Sequence, residues 1–285
     1  MALIALAADK GAPGVTTAAV ALGAVWPRPV LVAECDQAGG DLVYRLPAEQ
    51  GGDGGTGMLN PSRGLLSLAA TARRGLRPEQ IGEHSQRLTG GLDVLVGITG
   101  AEQAQGMTWL WGPLGRAFAG LGGVDVLADC GRLGAASPLT GLLREADMVV
   151  LVTRATLEQV AHLRERVSVL EDELRGGPPI GVLVLADPRD FRPSVSEVER
   201  ILATRDRQAG DRAPGTPPVG VLGGLALDPK GAALLSGQWG GRLDRSLLVR
   251  SAREVAGDLL RRLPQRPAEP PAPPRSAPLT TERRP

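Results

Sequence analysis

The sequence predicts a three-layer α/β sandwich, with a mostly parallel central sheet of about seven strands flanked by helices. Three observations lead there. Short apolar runs alternate with longer helical patterns along the chain, which is the order of βαβ units. Aromatic residues are scarce, with one Tyr, two Phe and four Trp. The strands must therefore be built from Val, Leu and Ile, as in a parallel sheet buried on both faces. The length of 285 residues leaves room for one α/β domain and a tail.

The first expected strand is the apolar run Leu3–Ala8, followed by an alanine-rich helix over Thr17–Val25. Val30–Glu34 is the second strand, and the glycine-rich stretch Glu49–Gly57 reads as a loop. Helices over Gly64–Arg74 and Pro78–Gln86 precede a strand at Leu92–Gly97. A helix over Met107–Leu121 then leads into the strand Val124–Asp129, and Pro138–Glu145 leads into Met148–Thr153. In the helix Leu157–Leu174, the residues Val160, Leu163, Val167, Leu170 and Leu174 line one face. That stripe is too short for a coiled coil, so packing on the sheet is expected. Strands at Gly181–Ala186 and Val219–Leu222 alternate with helices at Ser194–Arg205, Lys230–Leu235 and Leu247–Leu263. The domain is expected to span 1–263. Beyond it, eight prolines in the 22 residues 264–285 mark an extended tail.

Net charge is +1, so whole-chain electrostatics select neither nucleic acid nor an anionic membrane. The run Arg73-Arg74-Gly75-Leu76-Arg77 reads as a solvated helix end or as a local basic patch. No stretch offers the ~18 uncharged apolar residues of a spanning helix, and no signal peptide is visible. A cytoplasmic protein without an integral membrane segment is expected. Cys35 and Cys130 are too few for a zinc site and read as buried structural residues.

The chemistry-bearing feature is the loop after the first strand. Lys10 is one of two lysines in the chain, and it opens Lys10-Gly11-Ala12-Pro13-Gly14-Val15-Thr16-Thr17. Strand, glycine loop and helix together form the setting in which backbone N–H groups and a helix N-terminus cradle phosphates. The second strand ends in Glu34-Cys35-Asp36, and the fourth in Asp129-Cys130-Gly131. In an open parallel sheet ligands sit beyond the carboxyl ends of the strands, so both aspartates share an edge with the loop. Asp36 also has a plainer reading, as a turn former before Gly39-Gly40.

The loop resembles the deviant Walker A motif of the ParA/MinD family (SIMIBI class), written K-G-G-x-G-K-T-[TS]. Lys10 matches the family's signature lysine, and Gly11, Gly14, Thr16 and Thr17 match as well. Val15 stands where the family has its second lysine, the one on the β- and γ-phosphates. Glu34-Cys35-Asp36 resembles the family's switch I, with Glu34 in place of the first aspartate. Val124–Asp129 with Gly131 resembles its Walker B strand and switch II. The segment Ala186-Asp187-Pro188-Arg189 lies where the family often has a base-contacting Asn-Arg pair, without the Asn.

The resemblance implies a P-loop fold that binds ATP and Mg²⁺ at Lys10, Gly11, Ala12, Pro13, Gly14, Val15, Thr16 and Thr17. It places Thr16, Asp36 and Asp129 toward the metal and Thr17 on the α-phosphate. Asp36 would position the attacking water, and the Gly131 amide would sense the γ-phosphate. Lys10 would reach the nucleotide of a second copy, which implies an ATP-dependent homodimer. The function implied is a slow ATPase switch in spatial positioning: chromosome or plasmid partitioning, septum placement or cell-envelope machinery. It would act with an unidentified protein partner, and nonspecific DNA contact and peripheral membrane recruitment stay open. The alternative is a non-hydrolysing scaffold, for example an accessory of pilus assembly or secretion, and Val15 is its best evidence. A third reading is a small-molecule P-loop kinase or ligase.

Overall fold

The computed structural model describes residues 1–11, 14–49, 57–135, 137–208, 219–238 and 242–264. Two expected features, the loop Glu49–Gly57 and the tail 264–285, lie almost wholly outside them.

The chain opens with β1 (Leu3–Ala8), α1 (Val15–Gly23) and β2 (Val30–Glu34). Three short helices follow: α2 (Leu42–Arg45), α3 (Leu65–Ala72) and α4 (Gln80–His84). The two-residue strand β3 (Gln86–Arg87) then precedes β4 (Asp93–Leu95). Next come α5 (Ala101–Gln105), α6 (Trp111–Ala119), β5 (Asp125–Arg132) and α7 (Thr140–Leu143). The second half runs β6 (Met148–Arg154), α8 (Leu157–Glu173), β7 (Ile180–Ala186) and α9 (Phe191–Gln208). It closes with β8 (Gly220–Ala226), α10 (Pro229–Leu235) and α11 (Leu247–Arg262).

The eight strands form one sheet in the order β3-β4-β2-β5-β1-β6-β7-β8. Every pairing is parallel except that of β3 with β4 at one edge. Strand side chains alternate between faces. Thus Leu3, Ala5 and Ala7 join the core under α3, α6, α8 and α9, while Ile4, Leu6 and Ala8 join the core under α1, α10 and α11. The helices read the same way. Val160, Leu163, Val167, Leu170 and Leu174 are all buried, so the stripe on α8 packs on the sheet as expected. Burial of each such side chain stabilises by about 1.5–3 kcal/mol. On α11, Leu248, Val249, Ala252, Val255, Ala256 and Leu259 face the opposite core, and Ser246 caps the helix by accepting the Val249 amide at 3.3 Å.

The expected strands are all present, Leu3–Ala8 and Val30–Glu34 with the expected bounds and the others with different ends. The last one was expected to stop at Leu222, before Gly223-Gly224, but β8 continues to Ala226. The ring of Phe191 on α9 lies against Gly224, so glycine there gives room for a helix and does not end the strand. The sheet has eight strands because Gln86, expected to finish a helix, turns back with Arg87 to pair with β4. The expected helix Met107–Leu121 is a single 3₁₀ turn, Thr108–Leu110, feeding the shorter α6. The Arg73 to Arg77 run is a helix end whose arginines are exposed.

Candidate functional site

β1, β2 and β5 are neighbours in the sheet, so their carboxyl ends bring the phosphate loop, Asp36 and Asp129 to one place. The loop leaves β1 at Asp9. Lys10 is exposed. Gly11 has φ 80°, and Gly14, at φ 103°, is the N-cap of α1. Both values are strained for any residue with a β-carbon. The N-cap Gly14 has no side chain to cap α1, and the first N–H groups of a helix have no intrahelical partner. Ala12 and Pro13 lie outside the described residues.

Val15, at the position of the missing lysine, is buried in the core below α1. Its place is filled by an apolar contact. The next residue is Thr16, whose hydroxyl lies beside the Asp129 carboxylate. Asp129 accepts the Gly131 amide at 3.0 Å. Burial pushes its carboxyl up from the ordinary 3.8 to about 7, reinforced by the charges of Asp36 and Glu34 and opposed by the Thr16 and Gly131 hydrogen bonds. Asp36 accepts the Ala38 amide at 2.8 Å, and burial raises its carboxyl too. Gly131, at φ 56°, lies flat against the Asp36 carboxylate, where a β-carbon would overlap it. The site therefore gathers Thr16, Asp36, Asp129 and Gly131. Thr17 follows on the same turn, half-buried.

Glu34 has a different task from that of its neighbours. Its buried carboxylate accepts the amides of Asp41, Leu42 and Gly97, each at 3.0 Å, and so ties the loop after β2 to the end of β4. Gly40 and Gly97 lie directly against it. Gln37 Nε2 donates to Ser137 Oγ at 2.9 Å, linking the loops after β2 and β5.

Three contributors escaped the sequence reading because each acts across a large sequence separation. Arg166 on α8 donates to Asp9 at 2.6 Å in a largely buried ion pair, and also to the Gly134 carbonyl at 3.3 Å. It straps the phosphate loop to the loop after β5. The Gln159 side chain, on the first turn of α8, lies against Gly11. Arg132 ends β5 beside the acids and is treated below. At the far side of the same edge, Asp187 accepts the Arg189 amide at 2.9 Å, a turn that leaves Pro188 and Arg189 lining a cleft of about 450 Å³ with Ala226 and Leu247.

Cys35 and Cys130 are free, fully buried thiols, pushed well above their ordinary range by burial. They are inert packing residues, as expected. Among the described residues, no group of three or more His, Cys, Asp and Glu is arranged to hold a metal ion alone. None of the described helices is long and apolar enough to cross a membrane.

At the level of sequence, no family model and no curated protein matches this chain. Solved structures do resemble it. A ParA family ATPase from Chlorobium tepidum TLS superposes with a TM-score of 0.63 at 16% identity, over 90% of this chain and 98% of that one. The cell division ATPase MinD of Pyrococcus furiosus gives 0.63 at 17% identity, over 91% and 98%. Cobyrinic acid a,c-diamide synthase from Mycobacterium smegmatis, solved with an ATP analog and magnesium, gives 0.57 at 21% identity, over 92% and 94%. Strand order, loop position and these superpositions agree: the chain has the fold of the ParA/MinD P-loop ATPases.

Proposed function

We propose that this chain is an ATP-binding switch, a slow ATPase whose nucleotide domain spans 1–263. One observation carries the reading: the Thr16 hydroxyl beside the buried Asp129 carboxylate, at the N-terminus of α1 and close to Asp36. These residues fit Mg²⁺ and a triphosphate. Mg²⁺ is usually held by one or two carboxylates plus waters and phosphate oxygens and needs no full protein cage, consistent with the lack of a three-residue cluster among the described residues. When bound, the ion would neutralise charge on the phosphates.

This chain's own groups would then do the following. The α1 amides and Gly14 cradle the phosphates, with Thr17 on the α-phosphate, while Thr16 and Asp129 hold the metal and its waters. Asp36 orients a water beside the terminal phosphate, and Gly131, touching Asp36, reports whether that phosphate is present. Lys10 reaches outward to a second copy. Leu157, 88% exposed at the start of α8 two residues before Gln159, leaves an apolar side chain in solvent near the loop, as a dimer face would. The role we assign is spatial positioning of a cellular machine through a cycle of monomer and dimer, with a protein partner yet to be identified.

A second reading is a non-hydrolysing scaffold, and the burial of Val15 favours it: the position is built as core. The resemblance to a synthase as well as to positioning ATPases means that fold does not choose between chemistries. The test is Mg²⁺-dependent ATP binding, phosphate release and size exclusion in ATP and in ADP, for wild type, Lys10→Ala and Asp36→Ala. The expected result is binding, slow release abolished in Asp36→Ala, and an ATP-dependent dimer weakened in Lys10→Ala. A wild type that binds no purine nucleotide would leave only the scaffold.

A further inference from the structure

We infer that Arg132 supplies, from the end of β5, the phosphate-binding cation that the loop lacks at Val15, with its guanidinium on the terminal phosphate of a nucleoside triphosphate. The inference rests on the nucleotide reading above and adds to it the residue that tells three phosphates from two.

The placement comes from strand register. Arg132 lies opposite Ala8 in the β1–β5 ladder, and the next amide, that of Leu133, donates to the Ala8 carbonyl at 2.8 Å. Arg132 is thus anchored beside the point where the phosphate loop departs. It directly follows Gly131, which bonds Asp129 and lies against Asp36. A triphosphate in that loop would have the guanidinium on the side of the water-orienting carboxylate, and Arg132 already lowers the Asp36 carboxyl through its charge.

Availability singles it out further. Arg166 is spent on Asp9 and Gly134, and Arg45 on Asp41 and Ser236. Arg132 is exposed, and its guanidinium has no hydrogen bond or ion pair among the described residues. An edge that collects Glu34, Asp36 and Asp129 repels a polyanion unless cations offset it, and a planar guanidinium matches phosphate oxygens two at a time. Arg154, at the end of β6, is likewise exposed, but it is set on the opposite side of β1 from Asp36 and the acids.

The test is calorimetric titration of the full chain with Mg-ATP and with Mg-ADP, for wild type, Arg132→Ala, Arg132→Lys and Arg154→Ala, each checked by thermal melting. Loss of a charge-assisted phosphate contact should weaken ATP by about tenfold or more in Arg132→Ala and ADP by less than about threefold. Arg132→Lys should keep part of the difference, and Arg154→Ala should stay within about twofold of wild type. Should Arg132→Ala melt early, Arg132→Gln carries the same thresholds. Equal weakening of both nucleotides, no weakening of either, or an equal loss in Arg154→Ala would overturn the assignment while leaving nucleotide binding in place. A wild type that binds neither nucleotide would overturn both.

Discussion

Two aspartates on one strand are equally buried and differently treated. Asp125, where β5 begins, accepts the Ala2 amide, the Trp26 Nε1–H and the Arg28 Nε–H, each at 2.8 Å. Asp129, four residues on, accepts one amide, with the Thr16 hydroxyl and two further acids close by. Burial is alike, at 2% and 1% exposed; the supply of partners is not. At the amino edge of the sheet a charge is matched and holds the chain terminus and the α1–β2 turn in place. At the carboxyl edge Asp36 and Asp129 each accept one amide and lie close to the Glu34 carboxylate, and burial raises the carboxyls of all three.

The contrast can be broken at its strong end first. Asp125→Ala would strand the Trp26 and Ala2 donors in the interior and free a half-exposed Arg28. We expect a loss of about 3 kcal/mol in urea unfolding, with nucleotide affinity of the folded protein unchanged. A loss below about 1 kcal/mol would erase the difference between the two edges.

Asp129→Asn should have the opposite sign. The folded carboxyl of Asp129 is raised from 3.8 to about 7, so the folded state holds its proton more tightly than the unfolded state. Its contribution to stability is fully present below pH 4 and is lost as pH rises through about 7. The raised carboxyls of Glu34 and Asp36 act in the same direction. Without ligand, the Asn variant should therefore match wild type near pH 4 and exceed it at pH 8, by up to the order of 4 kcal/mol. Urea midpoints at the two pH values decide it, and an unaltered slope would show that Asp129 is not the frustrated group. Because a metal must displace the proton, Mg²⁺-dependent binding by wild type should strengthen from pH 6 to 8 and be lost in the variant.

Gly131→Ala sharpens the comparison with the smallest effect. A β-carbon there meets the Asp36 carboxylate on a left-handed backbone, for an expected cost of about 1–2 kcal/mol. The more telling readout is an ATP-dependent dimer that no longer forms, although the variant is folded.

What could be read early and what could not follows from range. Leu3–Ala8 and Val30–Glu34 match their strands end to end, because an uninterrupted apolar run has few other ways to hide. The sequence alone puts Asp36 and Asp129 together, since parallel strands send their ends to one edge. Glu34 was legible as a departure from a motif, but its work as acceptor for three amides depends on β4, 63 residues away in the Gly97 contact. Short α2 and α5 carry too little periodicity to be seen, and both form where loops are tied down by tertiary contacts.

Hydrophobic order along the chain was sufficient for the layered sheet, the phosphate loop after β1 and the edge where acids gather, because local pattern and strand direction dictate those. Which acid is satisfied, that Val15 belongs to the core, and that Arg132 stands beside Ala8, where the loop departs, emerged only on folding. Those properties depend on donors, acceptors and packing volume contributed by segments far apart in sequence, and no local pattern records them.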